Sequence, residues 1–453
     1  MKKGIKTVLT ALTLCVFLSG CQIIGFDTQN LMHPPKATGD KAEIQNVLLQ
    51  ETGGNITLKY PQRGDYRSAI VMFDITGNGE EEAIVFYRLN DEVATDTNMM
   101  IIARKDGKWR KVGNFTNSGT EIDRVCFGDM DGDGQNEIIV GWATHESTAN
   151  ALSVFKYTQK EVLELPLKYT YTEMIVDDFD GDQNQEIFLA SLALSAGNKP
   201  SNARLLKMDS DGKSIANQGY VELYPNVTKY AAVTAGRISE DQYGVVIDGS
   251  KPGDMLVTEL VYWDKSRKML MAPAYDASKQ KVRFLAERSS TTISKDINND
   301  SIIEIPTVSP MLGYSENDKN QVVYLTRWWR YNPQKEDIDP VWNMVANYTD
   351  GYSFILPDTW ENRVTAKMDT KNRTLIFYEW KRNTNGTGEL GDELLRIQIF
   401  SSKEWEEGKN TNDYSVILKQ SSKIYAYTVK TPKNPLALDY DAICNCFRLI
   451  NIS

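Results

Sequence analysis

Asp129-Met130-Asp131-Gly132-Asp133-Gly134-Gln135-Asn136-Glu137 is the stretch that decides the fold of this chain, and Ile138-Ile139-Val140 follows it at once. Carboxylates stand at positions 1, 3, 5 and 9 of this loop. Hard oxygen ligands at alternating positions can wrap around a Ca²⁺ ion, and the glycines permit the sharp turn that such a loop needs. The stretch therefore predicts a calcium-binding loop.

An EF-hand is the first alternative for this loop. It requires a bidentate glutamate at position 12 and a helix after the loop. Position 12 here is Val140, and the residues that follow the loop are β-branched and apolar, which is typical of a strand. The sequence therefore predicts a calcium loop that connects two β-strands.

Similar loops begin at Asp74, Asp178 and Asp296, and each runs into an apolar stretch. The starts at 74, 129 and 178 lie 55 and 49 residues apart, and the step from 178 to 296 is 118, about two such periods. A degenerate copy near Arg237 fills the gap, since it keeps the apolar strand but not the acidic pattern. A period of about 50 residues made of strands and turns indicates the blades of a β-propeller.

The candidate calcium ligands are mostly the oxygen-bearing side chains at alternating loop positions, and Gln135 is placed to offer its backbone carbonyl. They are Asp129, Asp131, Asp133, Gln135 and Glu137; Asp178, Asp180, Asp182, Asn184 and Glu186; Asp296, Asn298, Asp300, Ile302 and Glu304; and Asp74, Thr76, Asn78 and Glu82. Ligand charge tunes affinity, so the fully acidic loop at Asp129 is expected to bind most tightly and the loop at Asp74 weakly. The copy near Arg237 is expected to bind no ion. The alternative for every loop is an acidic turn without an ion.

These loops resemble the FG-GAP repeats, also called VCBS repeats, of integrin-α-type β-propellers. The resemblance covers about residues 56–347. It implies calcium loops between the first two strands of four-stranded blades. We predict a mainly β fold, a propeller with five visible blades and room for five to seven, followed by a small α+β domain. The hypothesis for residues 56–60 is a strand that closes the ring by pairing with the last blade.

The predicted domain boundaries follow from these patterns. They are a signal peptide over residues 1–20, a tether over 21–44, the propeller over 45–348 and the α+β domain over 349–453. In the first of these segments, Lys2, Lys3 and Lys6 precede an apolar run over residues 8–18. Leu18-Ser19-Gly20-Cys21 then resembles a bacterial lipobox, which implies cleavage before Cys21 and lipidation of its thiol. The alternative is an ordinary secretory signal. The expected location is the extracytoplasmic side of the cell membrane.

Composition limits the partners and the chemistry. The net charge of −10 over 453 residues argues against nucleic acid, whose phosphates require a basic face. An envelope protein or a glycan remains the expected partner, besides the membrane that holds the lipid. The two histidines, His33 and His145, offer no recognisable triad. A binding or scaffolding module is favoured, and the alternative is a polysaccharide lyase or hydrolase of the cell envelope.

An aromatic cluster is the remaining feature of note. It consists of Trp328, Trp329 and Trp342. Adjacent residues of a strand face opposite sides, so one of the first two is expected in the core and the other exposed. An exposed indole could stack on a sugar or on a partner side chain, but packing in the core or at a domain interface is favoured.

Overall fold

The computed structural model describes residues 39–450, apart from 91–95, 144–148, 159–160, 194–199, 285–286, 290–291, 316–321, 384–386, 409 and 421. The described chain is mainly β, as the sequence predicts, and its strands form several antiparallel sheets. None of these sheets closes on itself within the described residues. The chain divides into two compact units.

The first unit takes in residues 39–60, 67–73 and 80–118. Its helix α1 (Asp40–Thr52) presents Ile44 and Leu48, four residues apart, to a cluster with the sheet, and it ends at the left-handed Gly53. The helix thus includes residues 40–44, which we predicted to be tether. The sheet contains β1 (Ile56–Lys59), β2 (Ile70–Phe73), β3 (Glu82–Leu89), β4 (Thr97–Lys105) and β5 (Lys108–Asn117).

The position of β1 corrects one hypothesis from the sequence. Strand β1 pairs with residues 86–89 of β3, and β2 pairs with residues 82–85 of the same strand. The two short strands therefore share one edge of the first sheet, and β1 does not pair with the last repeat. The physical reason is the short connection from α1, because the helix packs on this sheet and delivers the next residues to its edge.

The second unit takes in residues 61–66, 74–79 and 119–450. Three sheets in it follow the chain order as meanders. Their strands are β6 (Glu121–Gly128), β7 (Glu137–Ala143), β8 (Asn150–Tyr157), β9 (Val162–Glu164) and β10 (Thr170–Tyr171); β11 (Glu173–Asp177), β12 (Glu186–Ser191), β13 (Asn202–Met208) and β14 (Ile215–Glu222); and β15 (Lys229–Arg237), β16 (Tyr243–Lys251), β17 (Met255–Asp264) and β18 (Met269–Met271). In the first meander, β9 and β10 both pair with β8.

The second strands of the first two meanders are largely apolar without alternation. Strand β7 reads EIIVGWA and is buried over its first six residues, and β12 reads EIFLAS and is buried over its first five. A strand covered on both faces has no solvent side, so period-2 alternation disappears from its sequence. The meanders are thus covered on both faces at their middle strands.

The remaining strands form a hairpin and two further sheets. After the hairpin β19 (Tyr275–Asp276) and β20 (Lys281–Val282) come β21 (Ile305–Pro310), β22 (Tyr324–Asn332), β23 (Asp337–Asn347) and β24 (Tyr352–Ile355), then β25 (Val364–Asp369), β26 (Thr374–Arg382), β27 (Gly388–Ser401), β28 (Ser415–Lys419) and β29 (Lys423–Thr428), and finally β30 (Phe447–Leu449). A 3₁₀ turn covers Asp358–Trp360, α2 covers Ser402–Glu406 and α3 covers Tyr440–Cys446.

The predicted boundary between residues 348 and 349 falls inside one sheet. Strand β24 pairs with β23 on its N-terminal side, and β30 extends the same sheet beyond β24. One hydrophobic cluster also joins Leu325 and Val345, which precede the boundary, to Phe354 and Trp360, which follow it. The residues on the two sides of the boundary therefore share backbone hydrogen bonds and a core.

Candidate metal centres

The acidic loops lie between consecutive strands, as the repeat pattern predicts. The Asp129 loop (residues 129–137) connects β6 to β7, and the Asp178 loop (residues 178–186) connects β11 to β12. The Asp296 loop (residues 296–304) is closed by an antiparallel bridge between Lys295 and Glu304 and leads into β21. The first two loops therefore occupy the same place in their sheets, at the turn between the first and second strands, and the Asp296 loop directly precedes the first strand of its sheet.

Two residues in every loop, at positions 4 and 6, take the left-handed backbone conformation. They are Gly77 and Gly79, Gly132 and Gly134, Gly181 and Gln183, and Asn299 and Ser301. Glycine adopts this conformation without steric cost, and asparagine tolerates it better than most residues. The common backbone path explains why sequences with different residues at these positions form the same turn.

The first aspartate of each loop organises this path by accepting backbone N–H groups. Asp129 Oδ1 accepts the N–H groups of Gly132 at 2.8 Å and Asp133 at 3.1 Å, and its Oδ2 accepts that of Gly134 at 2.9 Å. Asp178 and Asp296 do the same in their loops. Asp74 accepts the N–H groups of two residues, at positions 5 and 6. The carboxylate at position 1 is thus a structural part of the loop.

The final glutamate of each acidic loop points its second oxygen into the acidic cluster. Glu137 Oε2 accepts the Met130 N–H at 2.9 Å, and Glu186 and Glu304 accept the equivalent N–H groups. All three glutamates are buried. Burial raises the pKa of Glu137 and that of Glu186 to about 7 each. A carboxyl group held in this way is costly to ionise without a nearby positive charge.

Three clusters of carboxylates converge closely enough to hold a metal ion. In each, oxygens of three acids lie within 4.8 Å of one another. The clusters are Asp129, Asp131 and Glu137; Asp178, Asp180 and Glu186; and Asp296, Asp300 and Glu304. Asp131 Oδ1, Glu137 Oε1 and Glu186 Oε1 are enclosed and accept no well-formed hydrogen bond from the described residues. Hard carboxylate oxygens that converge in this way fit a calcium ion.

Other predicted ligands lie around these clusters. Asp133, Asp182 and Asn298 line the loop turns, where Asp133 Oδ1 accepts the Gln135 N–H and Asp182 Oδ1 accepts the Asn184 N–H. Asn298 donates to Asp300 at 2.9 Å. At Asp74, positions 3 and 5 carry Thr76 and Asn78 in place of acids, and Glu82 is buried in β3. Gln135, Asn184 and Ile302 donate their backbone N–H groups to position-5 carboxylates.

A basic side chain enters each of the three clusters from the strand that pairs with the strand after the loop, and the sequence did not reveal it. Lys156 of β8 pairs with Asp131, with Asp133 at 3.0 Å and with Glu137 at 3.3 Å. Lys207 of β13 pairs with Asp180 at 2.5 Å, Asp182 at 2.6 Å and Glu186 at 3.0 Å. Arg330 of β22 pairs with Asp300, and with Glu304 at 2.7 Å.

The acids affect the pKa of these bases. Burial lowers the pKa of Lys156, but hydrogen bonds to Asp131 and Asp133 outweigh it, so that the pKa lies above its usual value. The same balance raises the pKa of Lys207. A signal for these residues was present in the sequence, since VFKY, LLKM and WWRY share two apolar residues, a base and an apolar residue. The spacing from the loop varies, so the signal becomes clear only once the strand register is known.

The degenerate copy near Arg237 forms a short hairpin. The Ile238 N–H donates to the Gln242 carbonyl at 2.9 Å, and the Arg237 guanidinium donates to the Glu240 carbonyl at 2.6 Å. Strand β16 follows at residue 243, so the retained strand is confirmed. Arg237, which stands in the place of the first loop aspartate, ends β15 and pairs with Tyr243, and no acidic cluster forms at this hairpin among the described residues.

Backbone hydrogen bonds join successive loops. The N–H at position 8 of one loop donates to a carbonyl at the start of the preceding loop. Asn136 donates to Ile75 at 2.7 Å, and Gln185 donates to Asp129 at 3.0 Å. Ile303 donates to Arg237 at 2.8 Å, so the degenerate copy keeps this contact. The loops of neighbouring repeats therefore lie side by side.

The tryptophan cluster has one member in the core, as the strand geometry predicts, but its neighbour is half-buried rather than exposed. Trp328 is buried, whereas Trp329 is half-buried and its Nε1 donates to Thr307 Oγ1 at 2.8 Å. Trp328 and the half-buried Trp342 border a cleft of about 420 Å³, together with Tyr348 and Arg448. This cleft combines aromatic surface with a cation.

The predicted N-terminal features lie outside the described residues. These are the signal peptide, Cys21 and His33, and the same holds for His145. Among the residues that the structure describes, no helix has the length and apolar character needed to cross a membrane.

Comparison with known proteins gives no family for the chain. No family model matches it, and no curated protein matches it. Among solved structures it is similar to the exotype rhamnogalacturonan lyase YesX, at 10% identity over 83% of this chain and 89% of that chain, with a TM-score of 0.30. A likeness this weak carries no argument about fold or activity.

Proposed function

We propose that this chain is a lipid-anchored, extracytoplasmic β-propeller that binds calcium in its blade loops and serves as a binding or scaffolding module at the cell surface. The observation that supports the proposal is the succession of antiparallel meanders with acidic loops at the same turn. Among the described residues, a similar backbone contact joins the Asp74 loop to the Asp129 loop, the Asp129 loop to the Asp178 loop, and the Arg237 copy to the Asp296 loop, which is the arrangement expected of adjacent blades.

Calcium is the ion that the loop chemistry favours. Its ligands would be the carboxylates of the three clusters, with the Asp74 loop as a weaker fourth site. Bound calcium would neutralise these carboxylates and tie the first strand of a sheet to the second. Hard oxygen donors without sulfur or imidazole suit calcium better than zinc or copper. The ion is proposed as a structural one.

A binding role is favoured over catalysis because the glutamates with a raised pKa are enclosed in the loops. Glu137 and Glu186 are enclosed by backbone N–H groups and by a lysine, so neither is offered to a substrate. The cleft beside Trp342, Tyr348 and Arg448 is a candidate contact for an envelope glycan or protein, because an aromatic face can pack against a sugar ring. We propose no nucleic-acid partner.

Calcium is expected to stabilise the protein. A ligand that binds only the native state adds about 2.7 kcal/mol when its concentration is a hundredfold above Kd. Scanning calorimetry of the purified protein should therefore show a higher melting temperature in calcium than in chelator. Magnesium serves as the control, since it demands a smaller octahedral site and should shift the transition less. An unchanged melting temperature at millimolar calcium would contradict the calcium role.

Replacement of Cys21 tests the anchor. Cys21→Ser removes the thiol that the lipobox resemblance assigns to the lipid, so the protein should move from the membrane fraction to the soluble fraction. Cys126→Ser is the matched control, because Cys126 is a free cysteine in β6 and its loss should leave fractionation unchanged. Persistence of Cys21→Ser in the membrane fraction would refute lipidation at this residue.

A further inference from the structure

The basic residue in each acidic cluster stands at the same register position. In the three antiparallel sheets, the first residue after the loop's final glutamate pairs with the residue just before the base. These pairs are Ile138 with Phe155, Ile187 with Leu206 and Ile305 with Trp329. The register therefore places each final glutamate directly opposite the base. The three pairs are Glu137 with Lys156, Glu186 with Lys207, and Glu304 with Arg330. One side chain per sheet thus reaches the cluster from the strand that pairs with the strand after the loop.

The repeats without a full acidic set provide an internal comparison. In the first sheet Ala83 pairs with Ile102, which puts Ala103 opposite Glu82. In the fourth sheet, which follows the Arg237 hairpin, Gly244 pairs with Tyr262. Trp263 therefore stands at the register position that the base occupies in the other sheets. Within the described residues, the base therefore occurs in the three repeats whose acids converge and is absent from the two whose acids do not.

We propose that Lys156, Lys207 and Arg330 are built-in competitors for the calcium sites. Each supplies the positive charge that its loop needs when no metal is bound, and calcium binding must displace it. The inference rests on the proposed calcium role and adds the residues that set the affinity. It also reduces the difference in affinity that acid count alone would give, because the most acidic loops carry the competing charge and the Asp74 loop does not.

Geometry and charge support the competition. The lysine nitrogen atoms lie 3.0 and 3.3 Å from Asp133 and Glu137 in one cluster, and 2.5 to 3.0 Å from three acids in another. Calcium coordinates oxygens at 2.3–2.6 Å. A metal ion and an ammonium group cannot both occupy a space bounded by oxygens within 4.8 Å of one another, since both are cations and both need the same lone pairs.

The consequence is a loop that stays folded with or without metal. With the base in place, the carboxylates are paired, and the chain does not depend on calcium to hold the turn. Calcium must compete with a tethered cation, so its apparent affinity is lowered. The sites are then suited to the high calcium concentrations outside the cell, where weak sites of extracellular modules operate.

The test compares Lys156→Met with Lys251→Met in the full-length mature protein. Lys251 is a matched control, because its side chain is as exposed as that of Lys156, at 15%, and pairs with Glu287 away from the acidic loops. Isothermal titration with calcium chloride should show one site at least about tenfold tighter in Lys156→Met than in wild type. Lys251→Met should bind as wild type does. In chelator, Lys156→Met should melt at a lower temperature than wild type, and calcium should reverse that deficit.

Each outcome separates the inference from the proposed function. Equal calcium affinity in Lys156→Met and wild type would overturn the competition and leave the calcium role intact. No binding in either protein would overturn both. Amine labelling of wild type, read by mass spectrometry, needs no variant: calcium should increase the modification of Lys156 and Lys207 and leave Lys251 unchanged. Unchanged labelling of these two lysines at saturating calcium would contradict displacement.

Discussion

Arg288→Met is expected to lower the free energy of unfolding by about 3–5 kcal/mol, because it leaves a buried carboxylate without its counter-charge. The Arg288 side chain is fully buried, and its guanidinium donates to Asp248 Oδ1 at 2.9 Å and to Thr258 Oγ1 at 2.8 Å. Asp248 also accepts the Ser294 N–H at 2.6 Å. The pair therefore connects β16 and β17 to the segment that leads into the Asp296 loop.

A double replacement distinguishes a broken ion pair from a lost packing contact. Asp248→Asn with Arg288→Met removes both charges and keeps an oxygen to accept the Ser294 N–H, so it should recover part of the stability lost in Arg288→Met alone. Denaturant unfolding of the two single variants and the double variant measures the coupling. Arg283→Met is the control, since Arg283 is exposed and pairs with Glu336, and it should change stability little. Strictly additive effects at Arg288 and Asp248 would refute the coupling.

Asp129→Ala is expected to destabilise the protein by about 2–3 kcal/mol even in chelator. The carboxylate accepts three backbone N–H groups of its own loop. A hydrogen bond to a charged group contributes about 1.5–3 kcal/mol, and the exposed loop reduces the sum because water can replace part of the interaction. The left-handed turn at Gly132 and Gly134 loses its acceptor in this variant, so the loss does not require a metal.

Asp133→Ala is the matched control for that variant. It also removes one acid from the same loop, but Asp133 Oδ1 accepts a single backbone N–H, that of Gln135. We expect a loss in chelator of under about 1 kcal/mol, since the group is partly exposed. Thermal unfolding of both variants in chelator provides the comparison. Equal losses would show that the carboxylate at position 1 has no special structural role.

The loops and the strands that flank them could be predicted from the sequence because both depend on local chemistry. The acids at alternating positions, the glycines at positions 4 and 6 and the apolar run after the loop all lie within about a dozen residues. The structure confirms a mainly β chain and three converging carboxylate clusters. The propeller and the bound ion stay proposals.

The features that escaped prediction depend on contacts that are distant in sequence. Lys156 reaches the Asp129 loop because the pairing of β7 with β8 aligns it with the end of the loop. The number of residues between loop and base differs from sheet to sheet, so sequence spacing does not reveal this alignment. Arg288 meets Asp248 across 40 residues. Strand β30 joins β24 from nearly 100 residues away. Local periodicity carries no information about such pairings.

The contact between successive loops has a consequence for how these repeats can change over evolution. It is made by main-chain groups, which every non-proline residue carries regardless of its side chain. A duplicated repeat can therefore dock on its predecessor at once, and its side chains are then free to drift. The Arg237 copy illustrates this independence: it lacks the acidic pattern of the other loops, yet its carbonyl receives the N–H of Ile303. Metal ligation can be lost from one repeat without opening the array.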